Sequence, residues 1–374
     1  MKIMHLSDLH LGKRLNGFPL LYDQKYILHE IVSVAEEENP DCIIIAGDVY
    51  DRSTPSADAV ALFDEFLTIL AEHDFPVMVI SGNHDSPERI AYGNKMMQKS
   101  KIYLSPVYNG FVKPVVLNDD FGEVCFYLLP FVRPSSVRKF FPDVQIDSYT
   151  DAVRTAVNAM NIDKDKRNIL VAHQFVTGAQ RSESEEIYVG NLENVSADVF
   201  EDFDYTALGH IHRPQNIGSE KIRYCGTPLK YSFSEVDHEK SVTIVEIGEK
   251  NSPLKIKTRS LHPLFDMKEV RGKFEDIMHI PATKDYMRVI LTDEEMIINA
   301  VESLRFRFDN LMSVSYDNSR TNAVPDFSVP AKISDSTPQD LFSLFYRELN
   351  GKDMSDEQQN IVKDLINEIW GYES

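Results

Sequence analysis

The sequence predicts an α/β (α+β) protein with two packed mixed β-sheets flanked by helices, then a smaller β-α-β domain and two C-terminal helices. Three observations predict this architecture. In the first part of the 374-residue chain, short apolar runs alternate with helical patterns. After Asn118 the strand patterns predominate. Beyond residue 262 a second β-α-β pattern begins, and two amphipathic helical patterns follow a polar stretch.

Buried strands and helices alternate in the first part of the chain. Contiguous apolar residues bounded by polar residues or glycine predict strands over Ile3–Ser7, Cys42–Ala46 and Val77–Ser81. Apolar residues at helical spacing predict helices over Asp23–Glu38 and Ser56–Glu72. The second of these helices begins at a serine, which is a favourable N-cap.

Strand patterns follow one another closely beyond Asn118. Two helices are predicted among them, over Tyr149–Met160 and Asp198–Phe203. The polar and acidic stretch Thr177–Asn194 is predicted to be an exposed loop. The predicted strands of this part are Glu123–Pro130, Asn168–Ala172, Tyr205–Leu208, Ile222–Cys225 and Ser241–Ile247.

A domain boundary is predicted between residues 1–262 and residues 263–320. The second domain has strand patterns over Met287–Leu291 and Met312–Tyr316, with a helical pattern over Glu295–Arg307 between them. The stripe expected to face the core of this domain consists of Ile298, Val301, Leu304 and Phe308.

The last part of the chain is predicted to be a linker and two helices. Residues 321–336 contain prolines and small polar residues without periodicity, which is typical of a linker. Residues 337–374 contain two short amphipathic helices, one starting at Pro338 and one opened by a Ser355–Gln358 capping box. Helices this short are marginal alone in water. Their apolar faces therefore need another surface, either the second domain or another chain.

Residues suited to metal binding follow five of the predicted strands. Five strand ends that deliver Asp, Asn and His to one edge of a sheet would build an oxygen and nitrogen pocket for two metal ions. Such ligands suit Mn²⁺, Mg²⁺ or iron better than thiolate-seeking ions. A pair of cations clamps the attacking and leaving oxygens during cleavage of a phosphate ester. The strand-end residues are Asp8, His10, Asp48, Asn83, His84, Asp85, His173, His210 and His212.

The remaining histidines and the cysteines are interpreted as structural or solvated. The three cysteines, Cys42, Cys125 and Cys225, are far apart and form no C-x-x-C pair, which excludes a cysteine-based zinc site. Scattered cysteines also fit the reducing cytoplasm, where we expect the chain to be located. A strand that begins at Ile3 leaves no room for a signal peptide, and no apolar run is long enough to span a membrane. The histidines without a strand-end context are His5, His29, His73, His238, His262 and His279.

The net charge of −20 argues against a surface that binds nucleic acid everywhere. Bound metals would bring positive charge to the site itself. Arg14, Arg52 and Arg89 closely follow the strand-end motifs, so they are candidates for contacts with a phosphate substrate at the mouth of the site.

The order of the motifs D-x-H, G-D, G-N-H-D, H and G-H-x-H resembles the calcineurin-like metallophosphoesterase superfamily. Longer matches narrow the resemblance to the SbcD-type nuclease subunits. They lie at residues 47–51, 53–56, 205–212 and 225–233, within residues 1–240.

The resemblance implies a role for each strand-end residue. Asp8, His10 and His212 would hold one metal ion. Asn83, His173 and His210 would hold the other, and Asp48 would bridge the two. His84 would face the substrate and donate a proton to the leaving oxygen or steady the phosphate, with Asp85 orienting it. Two divalent ions per chain are implied, Mn²⁺ first and Mg²⁺ as the alternative.

The resemblance also implies a function and partners. The chain would be a DNA exonuclease and hairpin-opening endonuclease in an ATP-driven complex that acts on DNA ends in repair and recombination. Residues 263–320 would form a cap that directs DNA, and residues 337–374 would dock on an SbcC-type coiled-coil ATPase. A homodimer would form through the region of Ser56–Glu72 and Pro87–Lys99. Arg14, Arg52 and Arg89 would contact DNA, which we expect the isolated chain to bind weakly, with a partner supplying much of the affinity.

Two other functions are considered. A phosphoesterase acting on a small molecule or a phosphoprotein would share the metal chemistry, but it would not require the residues beyond 265. A non-catalytic scaffold for DNA ends is disfavoured, because all seven ligand positions and His84 hold competent residues.

Overall fold

The computed structural model describes residues 1–185, 194–319, 321, 337–350 and 352–370. The chain divides into two compact units, Met1–Lys268 and Glu269–Ser374. This division lies a few residues beyond the predicted boundary at residue 262. Of the predicted linker 321–336, all but Thr321 lies outside the described residues, as do residues 186–193 of the predicted loop.

The first unit contains fourteen strands and six α-helices within its described residues. Short 3-10 helices lie at Gln98–Ser100, Ala197–Phe200 and Phe233–Glu235. The helices are α1 (Leu21–Glu38), α2 (Ala57–Glu72), α3 (Pro87–Ile90), α4 (Asn94–Met97), α5 (Pro134–Arg138) and α6 (Tyr149–Asn158). The strands are β1 (Lys2–Leu6), β2 (Arg14–Leu15), β3 (Phe18–Pro19), β4 (Cys42–Ala46), β5 (Val77–Ile80), β6 (Ile102–Leu104), β7 (Val115–Asp119), β8 (Gly122–Leu128), β9 (Arg167–His173), β10 (Tyr205–Gly209), β11 (Gln215–Ile217), β12 (Ser219–Tyr224), β13 (Ser241–Glu246) and β14 (Lys255–Ser260).

Two six-stranded mixed sheets form the first unit. The first has the order β14-β13-β1-β4-β5-β6, in which β1, β4, β5 and β6 are parallel and β13 and β14 are antiparallel additions. The second has the order β11-β12-β10-β9-β8-β7, with a parallel centre from β8 to β12 and an antiparallel strand at each edge. The predicted two-sheet architecture is confirmed.

An apolar core between the two sheets holds them together. Ile3, Ile44 and Ile80 of the first sheet share one cluster with Phe126 and Val171 of the second. On the other face of the second sheet, residues of α6 join a separate cluster. The strands β4 and β5 are buried along their whole length, since no side chain of either strand reaches solvent. This explains why their sequences are continuous apolar runs.

Several predicted elements are shifted or replaced in the structure. Ser56 caps α2 as predicted, and its side chain accepts a hydrogen bond from the backbone N–H of Ala59 at 3.2 Å. The predicted helix Asp198–Phe203 is a single 3-10 turn over Ala197–Phe200. The stretch 177–185 is exposed only in part, because Ser182 and Glu185 are buried while Gln180 and Glu183 are exposed.

The second unit contains a three-stranded sheet of order β15-β16-β17, in which β16 and β17 are parallel. The predicted β-α-β unit is present, and an additional strand and a short helix precede it. The elements are β15 (Met267–Gly272), α7 (Phe274–Met278), β16 (Tyr286–Leu291), α8 (Ala300–Arg307) and β17 (Leu311–Tyr316).

The predicted helix of the second unit begins later than expected. Asn299 has a left-handed backbone with φ of 58°, which places the start of α8 at Ala300 and shifts its buried face. Leu304 and Phe308 are buried as predicted, but Ile298 and Val301 are 88% and 41% exposed, and Ala300 packs in the core instead.

Two helices, α9 (Pro338–Asn350) and α10 (Asp356–Trp370), follow. The capping box at α10 is confirmed. The backbone N–H of Gln358 donates to Ser355 Oγ at 3.3 Å, and the backbone N–H of Ser355 donates to Gln358 Oε1 at 3.0 Å. Phe342, Phe345 and Leu365 on these helices are 43–49% exposed. Within the described residues, no helix combines the length and the apolar character needed to cross a membrane.

A buried arginine links the two sheets of the first unit. The guanidinium of Arg167 on β9 donates to the carboxylate of Asp119 on β7 and to the carbonyl of Gly248, which follows β13 in the other sheet. Its side chain is 2% exposed, and that of Asp119 is 14% exposed. The hydrogen bonds from Arg167 hold the pKa of Asp119 well below its usual range.

We expect Asp119→Asn to lower the free energy of unfolding by about 3 kcal/mol, because it leaves a buried guanidinium unpaired. A carboxylate with a depressed folded-state pKa stabilises above its unfolded pKa of about 3.9 and loses that effect as the pH falls through the folded value. Denaturant unfolding should therefore show a shallower acid destabilisation in the variant. Glu123→Gln, in the exposed Glu123–Lys166 pair, is the control and should cost less than about 1 kcal/mol. Equal effects of the two variants would contradict the prediction.

Candidate metal centre

The predicted ligands lie where the carboxyl-terminal ends of parallel strands from the two sheets meet. Asp8 and Asp48 follow β1 and β4 of the first sheet, whereas His173 ends β9 and His210 follows β10 of the second sheet. The junction is tight, because His173 Nδ1 donates to the carbonyl of Ala46, the last residue of β4, at 2.8 Å. The site is therefore built across the two sheets and not on the edge of one.

The backbone bends sharply at these strand ends. Asp8, His10 and Asp48 have φ values of 53°, 46° and 49°, in the left-handed region that costs a non-glycine residue about 1–3 kcal/mol. Two glycines permit the close approach of the loops. A Cβ on Gly82 would lie 2.1 Å from Asp48 Oδ1, and one on Gly209 would lie 2.0 Å from the carbonyl oxygen of Ala46. The strain and the glycines both serve to bring the polar side chains together.

One group of donor atoms is formed by Asp8, His10 and His212, whose candidate ligand atoms all lie within 4.8 Å of one another. The Nε2 atoms of the two imidazoles are 3.2 Å apart. Burial lowers the pKa of His10 well below its usual value, so its ring is neutral and carries a lone pair. Two buried imidazole nitrogens this close favour a cation next to both of them.

A second group is formed by Asp48, His173 and His210, again within 4.8 Å. The side-chain oxygen of Asn83 completes it, at 2.9 Å from His210 Nδ1 and 3.0 Å from His173 Nε2. Burial lowers the pKa of His210, which leaves this ring neutral as well.

Asp48 lies between the two groups. Its Oδ2 is 3.2 Å from His173 Nε2 and 3.8 Å from His10 Nε2. Burial alone would raise the pKa of Asp48, but the neighbouring histidines, His173 first, hold it well below its usual range. An ionised carboxylate with contacts on both sides is suited to bridging two cations.

His84 borders the same space. Its Nδ1–H donates to the carbonyl of Asp51 at 3.0 Å, which leaves Nε2 facing inward, 4.0 Å from Asp48 Oδ2. The side chain is 18% exposed, more than Asp48 at 3%. His84, His10 and Asp48 form a further group whose candidate ligand atoms all lie within 4.8 Å of one another. The geometry therefore allows His84 either to contact substrate or to act as a ligand.

The structure corrects the role expected for Asp85. Its carboxylate accepts hydrogen bonds from the backbone N–H groups of Val49, Tyr50 and Gly82 at 2.9–3.1 Å. Burial, with a further contribution from Asp48, raises the pKa of Asp85 to about 6. Asp85 thus ties the loop after β4 to the loop after β5, and the carbonyl of Asp51 orients the ring of His84.

The three arginines predicted to contact DNA are all exposed. Arg52 is 80% exposed and directly follows Asp51, whose carbonyl holds His84. Arg14 donates to the carbonyl of Gly17 at 2.6 Å, and Arg89 lies on the short helix α3. Their contact with DNA remains a prediction.

Several residues that hold the ligands in position through hydrogen bonds were not predicted from the sequence. Behind His10, the side-chain amide of Gln24 donates to the carbonyl of His10 at 2.7 Å, and Tyr231 donates to that of Leu9 at 2.5 Å. Tyr231 lies in the stretch 225–233 that carries the family resemblance, so the sequence held a signal for it. The residues behind His212 are Ser184, Glu185, Glu235 and Lys240.

The residues present fit two divalent cations. The donors are two carboxylates, one carboxamide and four imidazoles, and His173 donates its other ring N–H to a backbone carbonyl, as metal-binding histidines do. Bound ions of this kind would supply a hydroxide near neutral pH and polarise a phosphate. Fold and site together define a metal-dependent phosphoesterase.

Comparison with known proteins agrees with this class. Residues 1–214 match the calcineurin-like phosphoesterases, and residues 263–350 match the type 5 capsule protein repressor C-terminal domain. The chain is 35% identical over 380 residues to the SbcD subunit of nuclease SbcCD from Staphylococcus epidermidis, with 99% of each chain covered. It is 35% identical over 382 residues to the SbcD protein of Staphylococcus saprophyticus, with 98% of each covered. The chain belongs to the calcineurin-like phosphoesterase family, within the branch of the SbcD nucleases.

Asp48→Asn should weaken binding of both ions, because the bridging position loses the charge that compensates them. Isothermal titration of the metal-free protein with Mn²⁺ should show both binding events weakened about 10-fold or more. Asp51→Asn is the control, since the Asp51 carboxylate pairs with Lys13 at 2.8 Å while its backbone carbonyl holds His84. Two ions retained by Asp48→Asn at wild-type affinity would remove Asp48 from the bridge.

Proposed function

We propose that the chain is the nuclease subunit of an SbcCD-type complex and hydrolyses phosphodiester bonds at DNA ends and hairpins. The single observation that carries the chemistry is the pair of adjacent donor groups with Asp48 between them, its Oδ2 lying 3.2 Å from His173 Nε2 and 3.8 Å from His10 Nε2. A shared carboxylate holds two cations close enough to act on one phosphate. The substrate and the complex are inferred from SbcD proteins of the SbcCD nuclease, which are 35% identical to this chain over nearly its whole length.

In this proposal each side of the site has its own ligands. Asp8, His10 and His212 hold one ion, and Asn83, His173 and His210 hold the other. Asp48 contributes to both. Manganese is the proposed physiological ion, with magnesium as the alternative, because four imidazoles suit manganese better than magnesium, which prefers oxygen ligands.

His84 is proposed to donate a proton to the leaving oxygen. Its Nδ1–H is fixed by the carbonyl of Asp51, so a proton on Nε2 points into the site. Its greater exposure than the ligand carboxylates supports a position on the substrate side. Arg14, Arg52 and Arg89 are proposed to contact the DNA backbone around this opening.

The regions outside the metal centre are proposed to bind DNA and the protein partners. Residues 263–350 match a domain family other than the one that matches residues 1–214, which supports a separate cap domain, and we propose that this cap directs DNA. The 39–49% exposure of Leu341, Phe342 and Phe345 supports docking of α9 and α10 on a coiled-coil ATPase.

Tyr92 and Met96, which are 82% and 78% exposed, support a homodimer through the region of α2 to α4. The three free cysteines support a location in the cytoplasm.

Release of nucleotides from linear duplex DNA with Mn²⁺ tests the proposal against a phosphoesterase of small molecules. We expect His84→Ala to bind two ions and to lose about 100-fold or more of the cleavage rate, as is usual when a general acid is removed. His29→Ala, on the outer face of α1, is the matched histidine control and should cleave at the wild-type rate. If His84→Ala binds one ion per chain, His84 is a ligand and the proposed role is wrong.

Phe345→Glu should abolish co-purification with the coiled-coil ATPase and the stimulation of duplex cleavage by ATP. Hydrolysis of a generic phosphodiester by the isolated chain should not change, because α9 lies in the other unit of the chain. Phe306→Glu on α8 is the control, since Phe306 is an equally apolar side chain that is 93% exposed, and it should retain the ATPase. Retention of the ATPase by Phe345→Glu would contradict docking through this face.

A further inference from the structure

A chain of polar groups, made of the part-buried Ser184 and the buried Glu235 and Lys240, lies behind one ligand, His212. Ser184 Oγ lies 2.7 Å from His212 Nδ1 and donates a hydrogen bond to Glu235 Oε1 at 2.5 Å. The direct separation of His212 Nδ1 and Glu235 Oε1 is 3.5 Å, too long for a good hydrogen bond. The hydroxyl of Ser184 therefore bridges the imidazole and the carboxylate.

Glu235 is held as a buried anion. Its side chain is completely buried, and its Oε2 accepts a hydrogen bond from Lys240 Nζ at 2.5 Å. Lys240 also donates to Thr227 Oγ1 at 2.7 Å and to the backbone carbonyl of His212 at 3.0 Å. A buried ion pair is often no more stabilising than apolar residues of the same size. Its place directly behind His212 is therefore better explained by what it does to that residue.

The donors and acceptors of this chain fix the position of one proton. An ionised Glu235 can only accept hydrogen bonds, so the hydroxyl hydrogen of Ser184 must point to it. Ser184 Oγ is then left to accept from His212, which places a proton on Nδ1. The lone pair of the ring lies on Nε2, the atom that faces His10 Nε2 at 3.2 Å. This is the tautomer that a metal ligand needs.

We propose that Ser184 and Glu235 are positioning residues that fix the tautomer and the orientation of His212 and so complete one half of the metal centre. The inference rests on the proposed function only in taking His212 as a metal ligand. It gives a role to the stretch 177–185, for which the sequence predicted an exposed loop beside the site and no specific contact.

This stretch is fastened on both sides of Ser184. The backbone N–H of Gln180 donates to Gln215 Oε1 at 2.9 Å, and that of Glu183 donates to Ser234 Oγ at 2.9 Å. Glu185 Oε1 accepts from the backbone N–H of His212 at 2.8 Å. Neighbouring residues of one loop thus hold both the ring and the backbone of His212.

The two halves of the metal centre are supported differently. His173 is oriented by the backbone carbonyl of Ala46 in a buried strand, whereas His212 is oriented by side chains, one of them on a loop. Removal of the Ser184 hydroxyl should therefore weaken one of the two ions and leave the other unchanged. Loss of a residue that orients a ligand typically weakens metal binding about 10–100-fold.

The test compares Ser184→Ala, Ser184→Thr and Ser232→Ala in the full chain. Ser232 Oγ donates to the same oxygen of Glu235 at 3.2 Å, but its other partner is Ser234 Oγ at 2.6 Å instead of His212, so Ser232→Ala is the matched control. Titration of each metal-free protein with Mn²⁺ should show one of two sites weakened about 10–100-fold in Ser184→Ala. Ser184→Thr should restore the affinity, and Ser232→Ala should leave both sites unchanged.

Two further measurements separate positioning from stability. The melting temperature of the metal-free Ser184→Ala protein should match that of Ser232→Ala, and ¹⁵N spectra of labelled histidines should show the Nδ1–H tautomer of His212 in the wild type only. Equal Mn²⁺ affinities of Ser184→Ala and wild type, or an Nε2–H tautomer in the wild type, would overturn the inference. A wild-type chain that binds no pair of ions would instead overturn the proposed function.

Discussion

The contact between the carboxyl ends of two sheets is the constraint on which the rest of the structure depends. Ala46 at the end of β4 accepts a hydrogen bond from His173 at the end of β9, and Gly209 lets the same carbonyl approach the second sheet. Each sheet alone would present only part of the donor set. Only their junction brings the seven ligand candidates into two adjacent groups, and the apolar core between the sheets holds that junction in place.

The metal centre concentrates groups that are unfavourable together without cations. Asp8 and Asp48 are buried carboxylates, and His10 and His212 place two imidazole nitrogens side by side. Left-handed backbone at Asp8, His10 and Asp48 adds local strain. Such an arrangement persists because the surrounding sheets determine it, and bound cations would relieve most of its electrostatic cost.

Much of the fold and of the candidate site was predictable from the sequence, because the information was local. Each ligand follows an apolar run, so its position at a strand end could be inferred without knowing the sheet order. Long-range partners were not predictable, since Ser184 and Glu235 are 51 residues apart and no pattern links them. The stripe of α8 was misplaced at Ile298 because a left-handed Asn299 resets the start of the helix. Asp85 was misassigned because its partners are backbone N–H groups, which leave no mark in a sequence.

The acceptor of the His173 ring proton is a main-chain carbonyl in a buried strand. A substitution at Ala46 changes the side chain but leaves this carbonyl oxygen in place. The acceptor of His173 is therefore kept in every variant that does not move the sheet. The corresponding acceptor for His212 is a side chain, and a single codon can alter it. Natural variation within such a scaffold can therefore retune the affinity and the choice of ion at one position while the other stays constant.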